Sequence, residues 1–342
     1  MLFLWLDVEQ RLAELRQINR SRKKVESMTP VSNDPQSLTG ATNYFTILGV
    51  HQWAWKKGHE AFEKAKQHWP ITTPWIDYAD EVSLVLGIDA TTWRKMYDQV
   101  EHGFKILPPD TYVIQRGQSL YPRLLQTLPD APEFLFMRGQ VWLAQQPIIS
   151  VVGTRQPSDD GIRKAQALAT LLGQYHMVIA SGLARGIDRA AHEAALDNQT
   201  PTIAVIGTPV TKTYPKEHQR LQSMIADRGL IISPFHPAAP IHRWNFPKRN
   251  AVMSGISLAT VVVEARETSG ALIQADYALR QGRLVFVPQS AVENTALQWP
   301  RRYVNEKGAQ SFRRIDELMR GLNNVRVLPV QQKESDEETR IY

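Results

Sequence analysis

Six short apolar runs alternate with helical stretches in the second half of the chain, and this alternation limits its fold more than any other feature. Each run is rich in Val, Ile and Leu, which is typical of a strand buried on both faces. The alternation favours right-handed βαβ crossovers. The sequence therefore predicts an α/β fold with a Rossmann-like parallel sheet and helices on both faces. The runs are residues 148–152, 177–180, 202–206, 230–232, 260–263 and 284–287, and the helical stretches are 158–175, 188–197, 215–227 and 271–281.

A smaller helical domain is predicted before the sheet. Three helical candidates, at 7–25, 45–69 and 76–103, precede it, and a polar stretch at 27–42 has the composition of a linker. Strand-like pieces follow at 104–107 and 134–136. We expect three parts, namely a helical, Trp-rich N-terminal domain at 1–103, the Rossmann-like domain at 104–325 and a polar acidic tail at 326–342.

Four aromatic residues, Trp53, Trp55, Phe62 and Trp69, are interleaved with basic residues in the second helical candidate. Aromatic rings beside cations can form a platform on which nucleic-acid bases stack. Aromatic residues at helical spacing in a small domain more commonly pack in its core. The sequence leaves both roles open and favours core packing.

The net charge of +6 and the pI near 9.4 favour a polyanionic partner, although a basic charge also keeps a protein in solution. The chain has no cysteine, which excludes disulfides, thiolate metal ligands and cysteine nucleophiles. No segment approaches the roughly 18 uninterrupted apolar residues of a membrane span, and the apolar start of the chain is too short for a signal peptide. We therefore expect a cytoplasmic protein without a membrane partner.

The loop after the first apolar run is the first candidate for function, because ligands of such sheets bind beyond the carboxyl ends of the strands. It offers the backbone of Gly153 and Thr154 to a phosphate, and the cation of Arg155. The alternative for Arg155 is an ion pair with Asp159 or Asp160. The loop contains no G-x-G-x-x-G or P-loop pattern, which disfavours the common nucleotide-binding modes.

The loop after the second run has two glycines around a cation. Gly182 and Gly186 flank Arg185, so that backbone and guanidinium could hold a phosphate together. Asp188 is placed at the N-cap of the next helix, and His192 shares its face. These two side chains could form a metal or acid–base pair, but no third ligand has suitable spacing, so we expect them to support the loop.

A proline-rich connection after the fourth run ends in aromatic, basic and amide side chains. Trp244 and Phe246 offer rings, Lys248 and Arg249 offer charge, and Asn250 offers an amide that can read a base edge. This composition suits single-stranded nucleic acid, because stacking on rings is independent of base sequence. Core packing is the alternative for Phe246.

The loop after the fifth run predicts a further anion site. Ser269 and Gly270 begin a helix, whose free N–H groups attract anions. Glu264 ends a buried strand beside basic loops. We expect its carboxylate to anchor Arg249 or Arg185 as a structural support, because no nucleophile accompanies it as a general base would require.

Several blocks in these loops, in this order, resemble the DNA-processing protein A (DprA/Smf) family. The resemblance extends over roughly residues 105–320. A single pair such as Tyr-Pro does not identify a family. The ordered set of blocks, one of them sixteen residues long, is specific to this family. The blocks are V-G-T-R at 152–155, the segment 181–196, Y-P at 214–215, F-P-K-R-N at 246–250, and V-E-A with S-G between 263 and 270.

The resemblance implies a single-stranded DNA-binding protein that associates as a homodimer and assists a RecA-type recombinase. It implies a DNA pocket built from Arg155, Gly182, Arg185, Phe246, Lys248, Arg249 and Asn250. No residues have the pattern of a catalytic or metal site, so we expect a protein that is not an enzyme and uses no cofactor.

The alternative is a small-nucleotide sensor or a nucleotide-processing enzyme. Related lysine-decarboxylase-like (LOG) proteins bind nucleotides in the same crevice and cleave a base from ribose phosphate. They carry the stretch P-G-G-x-G-T-x-x-E, where this chain has E-A-R-E-T-S-G at 264–270. That difference disfavours the enzyme without excluding nucleotide binding.

Overall fold

Nine strands form a single mixed sheet in residues 35–324, the part of the chain that the computed structural model describes. Their order is β1-β2-β6-β5-β4-β3-β7-β8-β9. Strands β3 to β9 run parallel, whereas β2 pairs antiparallel with β1 and β6. The strands are β1 (Thr111–Gln115), β2 (Phe134–Gly139), β3 (Ile148–Val152), β4 (Val178–Ser181), β5 (Thr202–Val205), β6 (Leu230–Ser233), β7 (Ala259–Val262), β8 (Leu284–Pro288) and β9 (Gln310–Phe312).

The helices precede the sheet, connect its strands or, in one case, follow its last strand. Short 3-10 segments lie at Trp75–Tyr78, Val141–Gln145 and Lys216–His218. The helices are α1 (Pro35–Val50), α2 (Trp55–Ala65), α3 (Ala79–Leu86), α4 (Ala90–Lys105), α5 (Arg123–Gln126), α6 (Asp159–Gln174), α7 (Ile187–Asp197), α8 (Gln219–Arg228), α9 (Asn245–Ile256), α10 (Gly270–Arg280), α11 (Gln289–Glu293), α12 (Trp299–Glu306) and α13 (Ile315–Asn324).

Strand β3 shows why the apolar runs predict a sheet covered on both faces. Its alternate residues Ile148 and Val152 belong to one core, with side chains of α9 and α10. Ile149 and Val151 belong to another core, with side chains of α6 and α7. The predicted α/β fold is confirmed, and the antiparallel strands β1 and β2 extend the parallel sheet at one edge.

The predicted strand at 104–107 is wrong, because α4 continues to Lys105 and the strand follows at Thr111–Gln115. The predicted helix 45–69 is also corrected. Two helices, α1 and α2, replace it, and the turn between them holds Gln52 and Trp53 at positive φ. Residues 35–42 are helical and not a linker, since the apolar side chains of α1, such as Phe45 and Leu48, are buried.

The predicted helix at 76–103 is divided at Gly87. This glycine adopts φ +67, the left-handed conformation that ends α3, and Asp89 then caps α4 by accepting the N–H of Thr92 at 2.7 Å. The predicted helix at 7–25 and the predicted tail at 326–342 lie outside the described residues.

Helices α1 to α4 share a core with β1 and β2, at one edge of the sheet. Phe45 packs against Phe134 and Phe136, with ring centroids 5.9 and 5.4 Å apart. Phe62 is fully buried, as core packing predicts, whereas Trp53, Trp55 and Trp69 are only half-buried. The division of the chain at residue 103 stays a prediction. Between residues 35 and 324, no helix combines the length and the apolar character needed to span a membrane.

Candidate functional site

Strands β4 to β6 are added on one side of β3, whereas β7 to β9 are added on its other side, so the strand order reverses between β3 and β7. Sheets of this type commonly bind nucleotides at such a point. Glu264 fills this crevice. Its carboxylate accepts the N–H of Ser158 at 3.1 Å and the Ser158 hydroxyl at 2.7 Å, and Ser158 in turn caps α6. A Cβ on Gly161, in the first turn of α6, would lie 2.0 Å from Glu264 Oε2. The N-terminus of α6 therefore already holds an anion from the chain itself, and the prediction that Glu264 anchors Arg249 or Arg185 is wrong.

The backbone after β3 is also engaged internally. The N–H of Thr154 donates to the Glu264 carbonyl at 2.7 Å, and its carbonyl accepts the N–H of Ile187 at 3.2 Å. A Cβ on Gly153 would lie 2.4 Å from Ile187 Cγ1, so Gly153 is required by packing. The Thr154 N–H is thus occupied by the loop after β7, which corrects its predicted role as a hydrogen-bond donor to a phosphate.

Asp188 organises the loop after β4. Its buried carboxylate accepts the N–H groups of Gly182 at 3.1 Å and Ala184 at 3.3 Å. Burial raises the pKa of Asp188, while the charge of Arg249 and the two N–H groups oppose that shift. The N-cap of α7 is Gly186, at φ +76, and not Asp188 as predicted. A Cβ at position 186 would lie 2.4 Å from the Thr154 carbonyl oxygen, so this close approach requires glycine.

His192 is fully buried one turn further along α7. Its Nδ1 lies 2.8 Å from the hydroxyl of Thr202, at the start of β5. Burial lowers the pKa of His192 to about 3, so the ring is neutral. Within the described residues, no three His, Cys, Asp or Glu side chains are grouped as a metal site would require. Asp188 and His192 therefore hold α7 and its loop against the sheet.

Arg249 connects the ends of two strands. It is buried in the first turns of α9, and its guanidinium donates hydrogen bonds to the carbonyls of Gly182 and Val205. Burial lowers its pKa to about 10, which leaves it charged at neutral pH. Its Nε donates to the side-chain oxygen of Asn250 at 3.1 Å. Arg249 thus positions the strand ends with its charge.

A pocket lies at the carboxyl ends of β3, β4 and β5, and we call it the sheet-end pocket. It brings together five residues of the predicted DNA pocket. The side chain of Tyr214, which the sequence prediction missed, is exposed and lies 5.3 Å from Phe246 between ring centroids. The lining residues are Arg155, Gly182, Ala184, Arg185, Tyr214, Pro215, Phe246 and Arg249.

The two exposed cations of the sheet-end pocket differ in their partners. No ion pair within the described part of the chain involves Arg155, and Asp160, one of its alternative partners, binds Lys164 at 2.7 Å. Arg185 is held by Glu217 through two hydrogen bonds, one of them 3.0 Å long between Nη2 and Oε2. Arg155 is therefore the cation that a phosphate can approach without displacing a carboxylate.

Phe246 is half-buried, so its environment lies between the two predicted alternatives. One side of the ring packs against the backbone of Gly207, where a Cβ would lie 2.7 Å from Phe246 Cδ1. Residues 246–250 form the first turns of α9, which corrects their predicted place in a loop.

Seven predicted DNA- or phosphate-binding residues do not line the sheet-end pocket, namely Gly153, Thr154, Gly186, Lys248, Asn250, Ser269 and Gly270. Lys248 lies over the ring of Trp55, with Nζ 4.8 Å from the ring centroid. Asn250 donates to the carbonyl of Gly270 at 3.4 Å, and Ser269 caps α10 by accepting the N–H of Ala271. Gly270 itself is exposed, and a Cβ there would meet no atom within 4 Å. The N-terminus of α10 is open to solvent, and its role as an anion site stays a prediction.

Residues 112–323 match the sequence profile of the family described as DNA recombination-mediator protein A. The chain is 40% identical over 174 residues to the DNA processing protein DprA of Streptococcus pneumoniae, covering 51% of this chain and 61% of that protein. It is 34% identical over 215 residues to the protein Smf of Escherichia coli, covering 63% of this chain and 57% of that protein. The matched segments thus span about three-fifths of these two relatives.

Two solved structures of DNA processing protein A have a similar fold. The structure from Streptococcus pneumoniae is 28% identical, with a TM-score of 0.63, and the match covers 83% of this chain and 95% of that one. The structure from Helicobacter pylori is 24% identical, with a TM-score of 0.55, and the match covers 63% of this chain and 96% of that one.

Proposed function

The chain belongs to the DNA recombination-mediator protein A family, and from this we propose that it is a DNA-processing protein that binds single-stranded DNA in the sheet-end pocket. The observation that carries the proposal is the arrangement of Arg155 beside two rings. The guanidinium of Arg155 is exposed and has no ion-pair partner among residues 35–324, and the rings of Tyr214 and Phe246 line the same pocket. A cation for phosphates beside rings for bases is the general requirement for binding single strands.

Glu264 favours a strand over a single nucleotide as the ligand. A mononucleotide at the reversal point of the sheet would place its phosphate at the N-terminus of α6. The Glu264 carboxylate occupies that position through Ser158. Repulsion between two anions opposes a phosphate there, so binding moves toward the loops of β3, β4 and β5, where several phosphates and bases can be held in a row.

We also propose that the protein acts without catalysing a reaction. Asp188 and His192, the acid–base candidates of the loop after β4 and of α7, are buried and occupied by hydrogen bonds to the loop and the sheet. A general base must reach the proton that it removes, and neither side chain lines the sheet-end pocket.

Fluorescence anisotropy with a labelled oligo-dT strand tests DNA binding directly. The logarithm of the wild-type association constant should fall with the logarithm of salt concentration, at a slope of about 0.7 per contacted phosphate. Arg155→Ala should weaken binding and reduce that slope. Arg163→Ala is the matched control, because Arg163 is an exposed arginine on α6 outside the pocket.

If only Arg163→Ala loses binding, or if Arg155→Ala binds as tightly as wild type, the DNA does not bind in the sheet-end pocket. Thermal-shift measurements with mononucleotides beside oligo-dT separate the two ligand classes. Stabilisation by a mononucleotide and not by oligo-dT would contradict the proposal and support the small-nucleotide alternative.

Family membership also supports a homodimer that assists a RecA-type recombinase. Light scattering on the purified protein measures the oligomeric state. Recombinase assistance is measured by the rate at which a RecA-type protein assembles on single-stranded DNA with and without this chain. If the chain binds single-stranded DNA but does not change the rate of recombinase assembly, the proposed DNA binding stands and the proposed assistance to the recombinase is wrong.

A further inference from the structure

A second depression lies on the other side of the first turn of α9. It is formed between the N-terminal helices and the segment that leads into α9, with Trp55, Phe235, Trp244 and Asn245 among its lining residues. Asn245 lines this depression and the next residue, Phe246, lines the sheet-end pocket. The two depressions are therefore adjacent along the start of one helix.

Trp244 exposes a large aromatic surface at this place. Its side chain is 52% exposed, and the ring of His242 stacks on it at 3.9 Å with an interplanar angle of 21°. The neighbouring Arg243 is also exposed. An exposed ring beside a cation has the two groups that bind a nucleotide, since the ring can stack on a base and the cation can bind a phosphate.

Trp55 and Lys248 provide a second aromatic and cationic pair in the same region. The ammonium group of Lys248 lies 4.8 Å from the centroid of the Trp55 ring. The same ring packs edge-on against Phe235, with centroids 6.1 Å apart. This contact fixes Trp55, on a helix before the sheet, next to the segment that carries Trp244.

We propose that Trp55, His242, Trp244 and Lys248 form a second nucleotide-binding platform, here called the aromatic platform, for single-stranded DNA that leaves the sheet-end pocket along the start of α9. The proposal rests on the proposed DNA binding and extends it to the N-terminal helices. Bases of the strand stack on Trp244, and Lys248 and Arg243 face its phosphates.

The composition of the depression favours DNA over a protein segment with basic side chains. None of its lining residues is acidic, so no carboxylate repels a phosphate. Lys248 and Arg243 carry charge opposite to that of the strand, and the sheet-end pocket lies next to it along α9. One strand can therefore contact both sites, whereas a very short strand contacts one.

The test compares Trp244→Ala with wild type on labelled oligo-dT strands from about four to about twenty nucleotides, a range set by typical single-strand site sizes. We expect the variant to bind the longest strand at least about fivefold more weakly, which is the lower limit for loss of one stacked base. The shortest strand that binds should be unaffected. Trp244→Phe should retain most of the affinity, because it keeps a ring.

A strand of the same length with abasic sites in the segment that leaves the pocket isolates stacking. Trp244→Ala and wild type should bind this strand equally, since the phosphates remain and the bases are absent. Tyr175→Ala is the matched control, because Tyr175 is an exposed aromatic residue at the C-terminus of α6, just before β4 and outside both depressions. Thermal denaturation verifies that each variant is folded.

The outcomes separate this inference from the function on which it rests. If wild type binds no oligonucleotide, the proposed function fails and the platform fails with it. If Arg155→Ala weakens binding while Trp244→Ala equals wild type on every length, the aromatic platform is wrong and the sheet-end pocket stands. An equal loss on normal and abasic strands would also overturn stacking on Trp244.

Discussion

Arg249 reaches the carbonyl of Gly182 only because residue 182 has no side chain. The guanidinium donates to this carbonyl from α9, across the end of β4. A Cβ at position 182 would lie 2.2 Å from Arg249 Nη1 and 2.5 Å from its Cζ. The glycine that resembles a phosphate-binding residue in the sequence therefore also makes room for a buried cation, and that cation holds the wall of the sheet-end pocket.

Gly182→Ala should destabilise the protein by about 1–3 kcal/mol, because the added methyl group overpacks the space held by the guanidinium. Urea denaturation measures the free energy of unfolding. Gly270→Ala is the control, since a Cβ there meets nothing within 4 Å, and its effect should stay within about 0.5 kcal/mol. Equal stability of Gly182→Ala and wild type would contradict the close contact.

The sheet was predictable because its central strands are buried on both faces and must be apolar throughout. Strand β3 coincides with its predicted run, residues 148–152. Short apolar runs do not distinguish a strand from a helix end, which explains the error at 104–107. Phe104 there is apolar because it packs on Phe136 and His236 from the end of α4. That contact joins segments far apart in the chain.

The meeting of these loops in one pocket was predictable, but the partners of their side chains were not. Parallel strands end at one edge of a sheet, so Arg155, Gly182 and Arg185 had to lie close together. Glu217 binds Arg185, and Ser158 binds Glu264. The two residues of each pair come from different loops, so spacing within one loop cannot predict these contacts. The signal for the missed Tyr214 was its position in the third of these loops.

Glu217→Gln should strengthen binding of single-stranded DNA. The hydrogen bond from Arg185 lowers the pKa of Glu217, so the carboxylate is charged at neutral pH and competes with a phosphate for the guanidinium. We expect the affinity for single-stranded DNA to rise roughly twofold to fivefold at low salt, which corresponds to the energies of exposed ion pairs. The rise should be smaller at high salt, because salt screens the charges. Anisotropy at two salt concentrations measures both.

Glu193→Gln controls for the change of net charge in this experiment. Glu193 pairs with Arg189 at 2.8 Å on α7 and does not line the pocket, so its removal should leave affinity nearly unchanged. Weaker binding by Glu217→Gln would mean that Glu217 holds Arg185 in its binding position and does not compete with the DNA.

Acid should unfold the protein partly through two buried histidines. Burial lowers the pKa of His192 and His236 to about 3, whereas a histidine in the unfolded chain titrates near 6.5. Below about pH 6.5 the unfolded state binds more protons than the folded state, so stability falls as the pH falls. Each histidine should lower the free energy of unfolding by roughly 2 kcal/mol between pH 7 and pH 5.

His236→Asn tests this assignment, because the amide oxygen can accept the Ala238 N–H that Nδ1 accepts at 3.1 Å. The variant loses packing, but the measured quantity is the dependence of unfolding free energy on pH from urea denaturation. Its slope between pH 6 and pH 4 should decrease by about one proton. A slope equal to that of wild type would exclude His236 as one of the titrating groups.

Binding of single-stranded DNA should weaken between pH 7 and pH 9 because of Lys248. Burial lowers the pKa of Lys248 to about 8, so its ammonium loses a proton as the pH rises through this range. A bound phosphate favours the protonated form, and the affinity should therefore fall by up to about tenfold at pH 9. Lys248→Arg keeps the charge over the same range and should remove most of the decline. Anisotropy at constant salt measures both profiles, and parallel declines in wild type and Lys248→Arg would show that Lys248 does not contact the DNA.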